Sequence, residues 1–574
     1  MVRFAALLST LAAMLSAQHA LNRNPGVAAS TTPAAATAPT FCKQVAPILF
    51  KNCAQCHQPG EIASTVSFLS YNTARPWARA IREKVLLREM PPWPPDPHES
   101  LMFRNDTRLS QEDIHTLVAW VDAGAPKGDE SDLPAAPSFA QGWLHPNGVP
   151  PDAVISLPEF DVPAAGEVPY VTHLVKVPFS EDKWVTAIQV RPGNGAVVHH
   201  MAITEIQAEE RFGPDASPLA ALARQVGIQN DLIRRPAVTA PGDPAVYDML
   251  GVYTPGASFE MYEDGAAKLL KGGKNFYLNV NIHYQTTGRP EKDLSVIALW
   301  FQAQPPKHQL FRVNGAWASL LASGRELLID APQEKAEGNS AAIPPIPPNS
   351  NNYEVTGMTA YTEPVIIYQF HPHAHLRAKD FKYTVVYDDG REQTVLSVPK
   401  YDFHWQLAYD LKTPLELPAG SKLVVTAHYD NSVNNRNNPA ADKEVHFLGS
   451  GNQTWDEMFT PFIQYTIDSH DPAAPLDIVE AGGCLEPTPT GAWILTHASD
   501  PVISKTQATS SVALEADAAQ PLGSRQYQLL GARLFNPGSR KAQRVAVQGV
   551  LITGPGESRI NVTSLQTVAP ACVK

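Results

Sequence analysis

Proline recurs along the whole of this chain, 52 times in 574 residues. Each one removes a backbone donor and fixes φ, so long unbroken helices and central strands are hard to accommodate. The spacing predicts short strands joined by stiff loops over most of the length. A chain this long exceeds one core, and two to four domains are expected. Its 44% hydrophobic content is that of globular protein. The net charge of -12 argues against nucleic acid or an anionic membrane as partner, since both select clustered Lys and Arg.

Residues 1–20 have the order of a secretory leader: Arg3, an apolar stretch over 4–17, and small Ser16, Ala17 and Ala20. A cytosolic N-terminal helix is the alternative. The stretch is short for a bilayer and no other segment is a candidate, so no stable membrane span is expected. No Cys follows the leader directly, which argues against a lipoprotein anchor. The expected location is periplasmic or secreted. Residues 21–40, ending in an Ala/Thr/Pro-rich run over 28–40, read as a linker.

Residues 41–134 carry a helical pattern. Apolar residues recur at helical spacing over 73–89, and Ser110-Gln-Glu-Asp113 caps a helix that Gly124 ends. Within this part stands Cys53-Ala-Gln-Cys56-His57. Two thiols at this spacing add across haem vinyl groups, and the adjacent imidazole ligates the iron. A thioredoxin-like pair would need a βαβ context, and a zinc site two more ligands nearby. The motif therefore predicts one covalent haem c held by Cys53, Cys56 and His57. Met90, between two helices, is the expected sixth ligand and would raise the potential; His98 is the competitor. His115 reads as a surface residue. The module resembles class I cytochrome c domains, with three helices, one CxxCH and a late Met ligand.

From residue 143 the pattern changes to alternating strands broken by Pro and Gly. Strands are expected over 276–284, 365–376 and 382–398, the last with an Asp389-Gly390 hairpin turn. A Pro-rich run over 343–348 and an Asn run over 349–352 suggest a boundary. The expected units are a β domain over 143–342, a second over 349–478, and a C-terminal β-rich segment over 479–574. Cys484 and Cys572 can staple that segment in an oxidising compartment. Cys42 is left without a role.

The β region gathers His199-His200-Met201, His283-Tyr284, His371-Pro-His373-Ala-His375 and Asp-Glu457-Met458. In the 276–284 strand the even positions are apolar, so His283 faces the other side. Positions 371, 373 and 375 share one strand face. Adjacent His199 and His200 would point to opposite faces of a regular strand, so one ion can take both only where the strand is distorted. Imidazole with thioether selects copper, with zinc the alternative.

In order and local wording, residues 143–478 resemble the copper type II, ascorbate-dependent monooxygenases, which include the peptidylglycine α-hydroxylating and dopamine β-monooxygenases. The resemblance implies one electron-transfer copper on His199, His200 and His283. It implies a second copper, where oxygen reacts, on the catalytic His373, His375 and Met458. It further implies two jelly-roll-like sandwiches facing each other across a solvent gap. His371 falls outside the match. It stands where peptide hydroxylases carry an Arg, and Phe462 where they carry a Tyr, so a glycine-extended peptide is a poor substrate candidate. The expected whole is multidomain: a small all-α cytochrome c domain, two all-β sandwiches and a β-rich tail. Its expected function is hydroxylation of a C–H bond in a small molecule with O2 and two coppers. An exported donor, an ascorbate-like reductant or a redox protein, would feed electrons through the haem. The alternative is a non-catalytic haem and copper carrier.

Overall fold

The computed structural model describes residues 38–139, 142–208, 233–234, 248–263, 265–274, 276–328, 343–447, 453–467, 475–554 and 557–572. The expected leader, and the linker up to residue 37, lie outside them. Strands dominate and the helices are few and short. Among the described residues no helix is long and apolar enough to cross a membrane.

The N-terminal helices close around Phe41, Leu49, Ile81, Leu117 and Trp120. Helix Gln111–Asp122 starts where Ser110 Oγ accepts the Asp113 amide at 3.0 Å, which satisfies one of its free N–H groups. Gly124, at φ +87, turns the chain out of it. The single helix expected over 73–89 is instead three pieces, Tyr71–Ala74, the 3-10 turn Arg75–Trp77, and Ala78–Leu86. Pro76 has no N–H for the α ladder and tightens the turn around itself. After Met90 the chain leaves this core. Trp93 and Phe103 bury their rings against Tyr409, at 5.2 and 5.6 Å between centroids. The amides of Asp96, Leu101 and Arg104 donate to the carbonyls of Ser397, Val395 and Asp410. This stretch carries exposed His98 with it.

Two β layers matter for function. The first sheet aligns Val171–Lys176, Phe276–Tyr284 and Val198–Ala208, with Met249–Tyr253 paired to the last. Leu278, Val280, Ile282 and Tyr284 are buried on its core side, as the alternation requires. The second sheet runs Ala153–Ser156, Val296–Gln302, Lys183–Arg191, Ala266–Leu270, His308–Asn314, Thr460–Ile467, Val365–His373 and Tyr409–Leu417. Strand His308–Asn314 joins the two units, parallel to Ala266–Leu270 and antiparallel to Thr460–Ile467. At this junction the buried Arg312 guanidinium bonds Glu260 and Gln369, Gln464 bonds Glu260, and Gln369 bonds Asp410. Among the described residues the buried Arg312 charge is paired with the Glu260 carboxylate alone, so losing Glu260 would leave it uncompensated.

The C-terminal segment forms a six-stranded sheet whose apolar face packs on Leu321, Met358, Val386 and Val424 of the adjoining unit. The expected Cys484–Cys572 disulfide is present, with Cα atoms 5.5 Å apart. The Asp389-Gly390 turn also forms, between Ala378–Val386 and Glu392–Val398, with Gly390 at φ +87.

Candidate metal centre

A β-bulge resolves the difficulty posed by adjacent histidines. His283 lies opposite His200, and Tyr284 opposite Val198, so His199 is the extra residue. A bulge kinks the strand locally and lets neighbouring side chains aim the same way. The ligand nitrogens of His199, His200 and His283 fall within 4.8 Å of one another. His199 Nδ1 and His200 Nδ1 are 3.0 Å apart. Burial lowers all three rings, His199 to about 4 and His283 to about 3, with neighbouring histidines adding to the effect. Neutral imidazoles whose lone pairs converge in this way suit a cation, and His283 Nδ1 has no hydrogen-bond partner. The donor set fits copper.

The second set sits on Val365–His373 and the turn after it. His371 and His373 lie on the strand, but His375 is past its end. There the Tyr401 hydroxyl accepts the Ala374 amide at 3.0 Å and donates to the Ala374 carbonyl at 2.8 Å, replacing the ladder. His373 Nδ1–H donates to Gln406 Oε1 at 2.5 Å, and its Nε2 lies 3.3 Å from Met458 Sδ. His375 Nδ1–H donates to the Asp456 carbonyl at 3.1 Å, and its Nε2 is buried without a partner. Two Nε2 lone pairs and one thioether are thus free for a soft ion. Burial lowers His373 to about 4 and His375 further.

Glu457 organises this set. Its carboxylate accepts the amides of His375 at 2.9 Å, Arg377 at 2.6 Å and Met458 at 3.1 Å. Burial raises its carboxyl to about 7 against those three donors. Asn435, from the Asn-rich loop, donates to the Leu376 carbonyl at 3.0 Å and braces the turn from outside. His371 is buried beside Phe462, their ring centroids 5.9 Å apart and the two residues paired across strands.

Residues 339–486 match the copper type II ascorbate-dependent monooxygenase, C-terminal domain. By that domain, the chain is a copper-dependent monooxygenase. The match spans His371, His373, His375, Gln406, Glu457 and Met458, and begins only after the triad. No curated protein matches this sequence. Among solved structures, a Paenibacillus xanthan lyase covers 59% of this chain at 9% identity and a TM-score of 0.14. This chain spans 29% of that one. An infectious bursal disease virus Gx strain structure covers 57% of this chain and 76% of its own, at 8% identity and a TM-score of 0.14. Likenesses this low carry no argument.

The monooxygenase departs from the expected open gap between its two sets. The rings of His200 and His373 are 6.2 Å apart, centroid to centroid. Tyr170 meets His200, His283 and His375 edge-on at 5.6, 4.9 and 5.9 Å. Phe403 touches the same three and His199. These two aromatic rings pack against histidines of both sets. Sequence reasoning missed Tyr170, Phe403 and Gln406, which come from loops without any periodic signal; Glu457 was visible only as Met458's neighbour.

At the other end, Cys53 and Cys56 are free thiols, not bonded to each other. Burial raises them to about 12 and about 11. His57 Nδ1–H donates to the Val66 carbonyl at 3.1 Å, which leaves Nε2 for an axial bond, and its ring stacks on Phe68 at 4.4 Å. These residues fit covalent haem attachment. Met90 follows directly on the helical core, its amide donating to the Lys84 carbonyl at 3.4 Å.

Proposed function

We propose that this protein is an exported monooxygenase that hydroxylates a C–H bond of a small organic molecule. Substrate, O2, two electrons and two protons give the alcohol and water. In this reading His199, His200 and His283 hold one copper, and His373, His375 and Met458 the other. Copper held by such donors supplies one-electron storage and the reduction of O2. Gln406 keeps the His373 proton on Nδ1 and the Asp456 carbonyl keeps that of His375 on Nδ1, so both Nε2 atoms stay available. Glu457 holds the backbones of His375 and Met458 in one geometry. Tyr170 and Phe403 exclude water between the sets. Covalent haem on Cys53, Cys56 and His57, with Met90 as sixth ligand, supplies a one-electron relay from an ascorbate-class reductant or a redox protein.

The observation that supports this reading is His373 Nε2 lying 3.3 Å from Met458 Sδ, with the His375 ring 5.5 Å from that of His373 and its Nε2 without a partner, inside the matched monooxygenase domain. The test counts metals in the exported, copper-loaded protein. Two coppers per haem are expected, and about one in His373→Ala/His375→Ala. Met458→Ala should keep the haem and the triad copper and lose substrate-dependent O2 uptake. Full uptake in that variant, or no substrate-dependent uptake by the intact protein, overturns the proposal, and the second result leaves a carrier.

A further inference from the structure

Gln285 stands two residues beyond His283 and reaches into two units at once. Its Nε2 donates to the Ala196 carbonyl at 2.8 Å and to the Ile62 carbonyl at 3.3 Å. Its amide donates to the Val197 carbonyl at 2.8 Å. Ala196 and Val197 lead into the triad strand, while Ile62 lies in the loop that follows Cys53-Ala-Gln-Cys56-His57. The seam continues on both sides. Gln55 Nε2 donates to the Gly256 carbonyl at 3.1 Å. A Cβ placed on Gly256 would lie 3.7 Å from Cys56 Sγ, and one on Gly195 only 2.9 Å from Glu61 Oε2 and from the Gly60 carbonyl. Gly195 therefore allows backbone-close contact between the CxxCH loop and the ground around the triad, while Gly256 sits in ordinary contact with Cys56. The stretch that packs on the other unit is a different one, Trp93 to Asn105.

We infer that the CxxCH loop is permanently docked on the His199–His200–His283 side, with Gln285 as the positioning residue, so that electrons enter at the triad and not at the Met458 set. The inference rests on the proposed haem and copper reading. One electron leaves ferrous haem and reduces one cupric ion; no bond or proton moves, and an external ascorbate-class or protein donor restores the haem. A docked loop removes the diffusional search between donor and acceptor, and the side-chain amide of Gln285 keeps the gap constant.

The test uses full-length, haem-replete, copper-loaded protein without oxygen. The haem is reduced by a pulse, its α-band decay is followed, and freeze-quenched samples report which cupric EPR signal is lost. Gln285→Ala should slow the decay at least tenfold with haem content, haem potential and copper count unchanged. Gly195→Val, which pushes Glu61 and Gly60 away, should do the same. Decay should persist in His373→Ala/His375→Ala. Unchanged decay in both seam variants, or loss of decay in the double variant, overturns the inference alone. Protein that binds no covalent haem or no triad copper overturns the parent reading with it.

Discussion

The imidazole of His373 and the side-chain carbonyl of Gln406 share a hydrogen bond of 2.5 Å, and that bond decides which nitrogen His373 can offer a metal. With the proton held on Nδ1, the Nε2 lone pair points to Met458 Sδ. Gln406 is itself buried, and its Nε2 donates to the Phe403 carbonyl at 3.1 Å, so its orientation is fixed in turn.

Gln406→Leu removes the acceptor while keeping volume. Copper affinity at the Met458 set should fall about 10- to 100-fold, as is usual when a partner that orients a ligand is lost. Affinity at the triad should stay the same. Titration against a competing chelator reads both, and equal affinities in variant and parent would remove Gln406 from the site.

The disulfide gives a stability prediction. Cys484 and Cys572 close a loop 88 residues in separation, spanning the C-terminal sheet. Cys572→Ser should cost about 2–4 kcal/mol, mainly by freeing the unfolded chain. Denaturant titration measures it. Reductant should lower the parent's midpoint to that of the variant; a parent indifferent to reductant would mean the sheet holds without its staple.

A pH dependence resides in the adjoining unit. His428 lies between Asp380, at 2.7 Å from Nδ1, and Glu354, at 3.4 Å from Nε2, on neighbouring strands. The hydrogen bonds to Asp380 and then Glu354 raise it from 6.5 to about 9. A raised folded value stabilises the fold fully below about 6.5, and that gain is lost as pH rises through about 9. Both carboxylates are partly exposed, so screening holds the contribution to about 1 kcal/mol. The parent should lose about that much more stability than His428→Gln between those pH values. Equal losses in urea titrations would show that the pairing of His428 with Asp380 and Glu354 contributes nothing.

Much of this was readable from the chain. The alternation over 276–284 gave a strand with the bounds Phe276–Tyr284, because one face is uniformly apolar. Ser110 and Gly124 bracketed a helix through chemistry local to its ends. The bulge at His199 was a requirement of metal binding rather than a reading of pattern, since one inserted residue leaves no periodic trace. The break at Pro76 was hidden because the apolar spacing on either side still fits one helix. The approach of Tyr170 and Phe403 to the imidazoles depends on loops more than 200 residues apart, brought together by the packing of the two units.

That closeness leads to the last prediction. The triad and the Met458 set meet through His200 and His373, with rings 6.2 Å apart and the rings of Tyr170 and Phe403 packed beside them. Cupric ions on two sets in ring contact should perturb each other's spins. At saturating copper, double integration of the EPR spectrum should give fewer than two spins per protein, or signals broadened by dipolar coupling. The variant His373→Ala/His375→Ala should return one sharp spin, because only the triad remains loaded. Two sharp, independent spins in the intact protein would mean that copper binding drives the units apart. Weakening the junction should then make no difference, whereas if the closed arrangement holds, Glu260→Ala, which strands the buried Arg312, should sharpen the spectrum toward two spins while costing about 3 kcal/mol of stability.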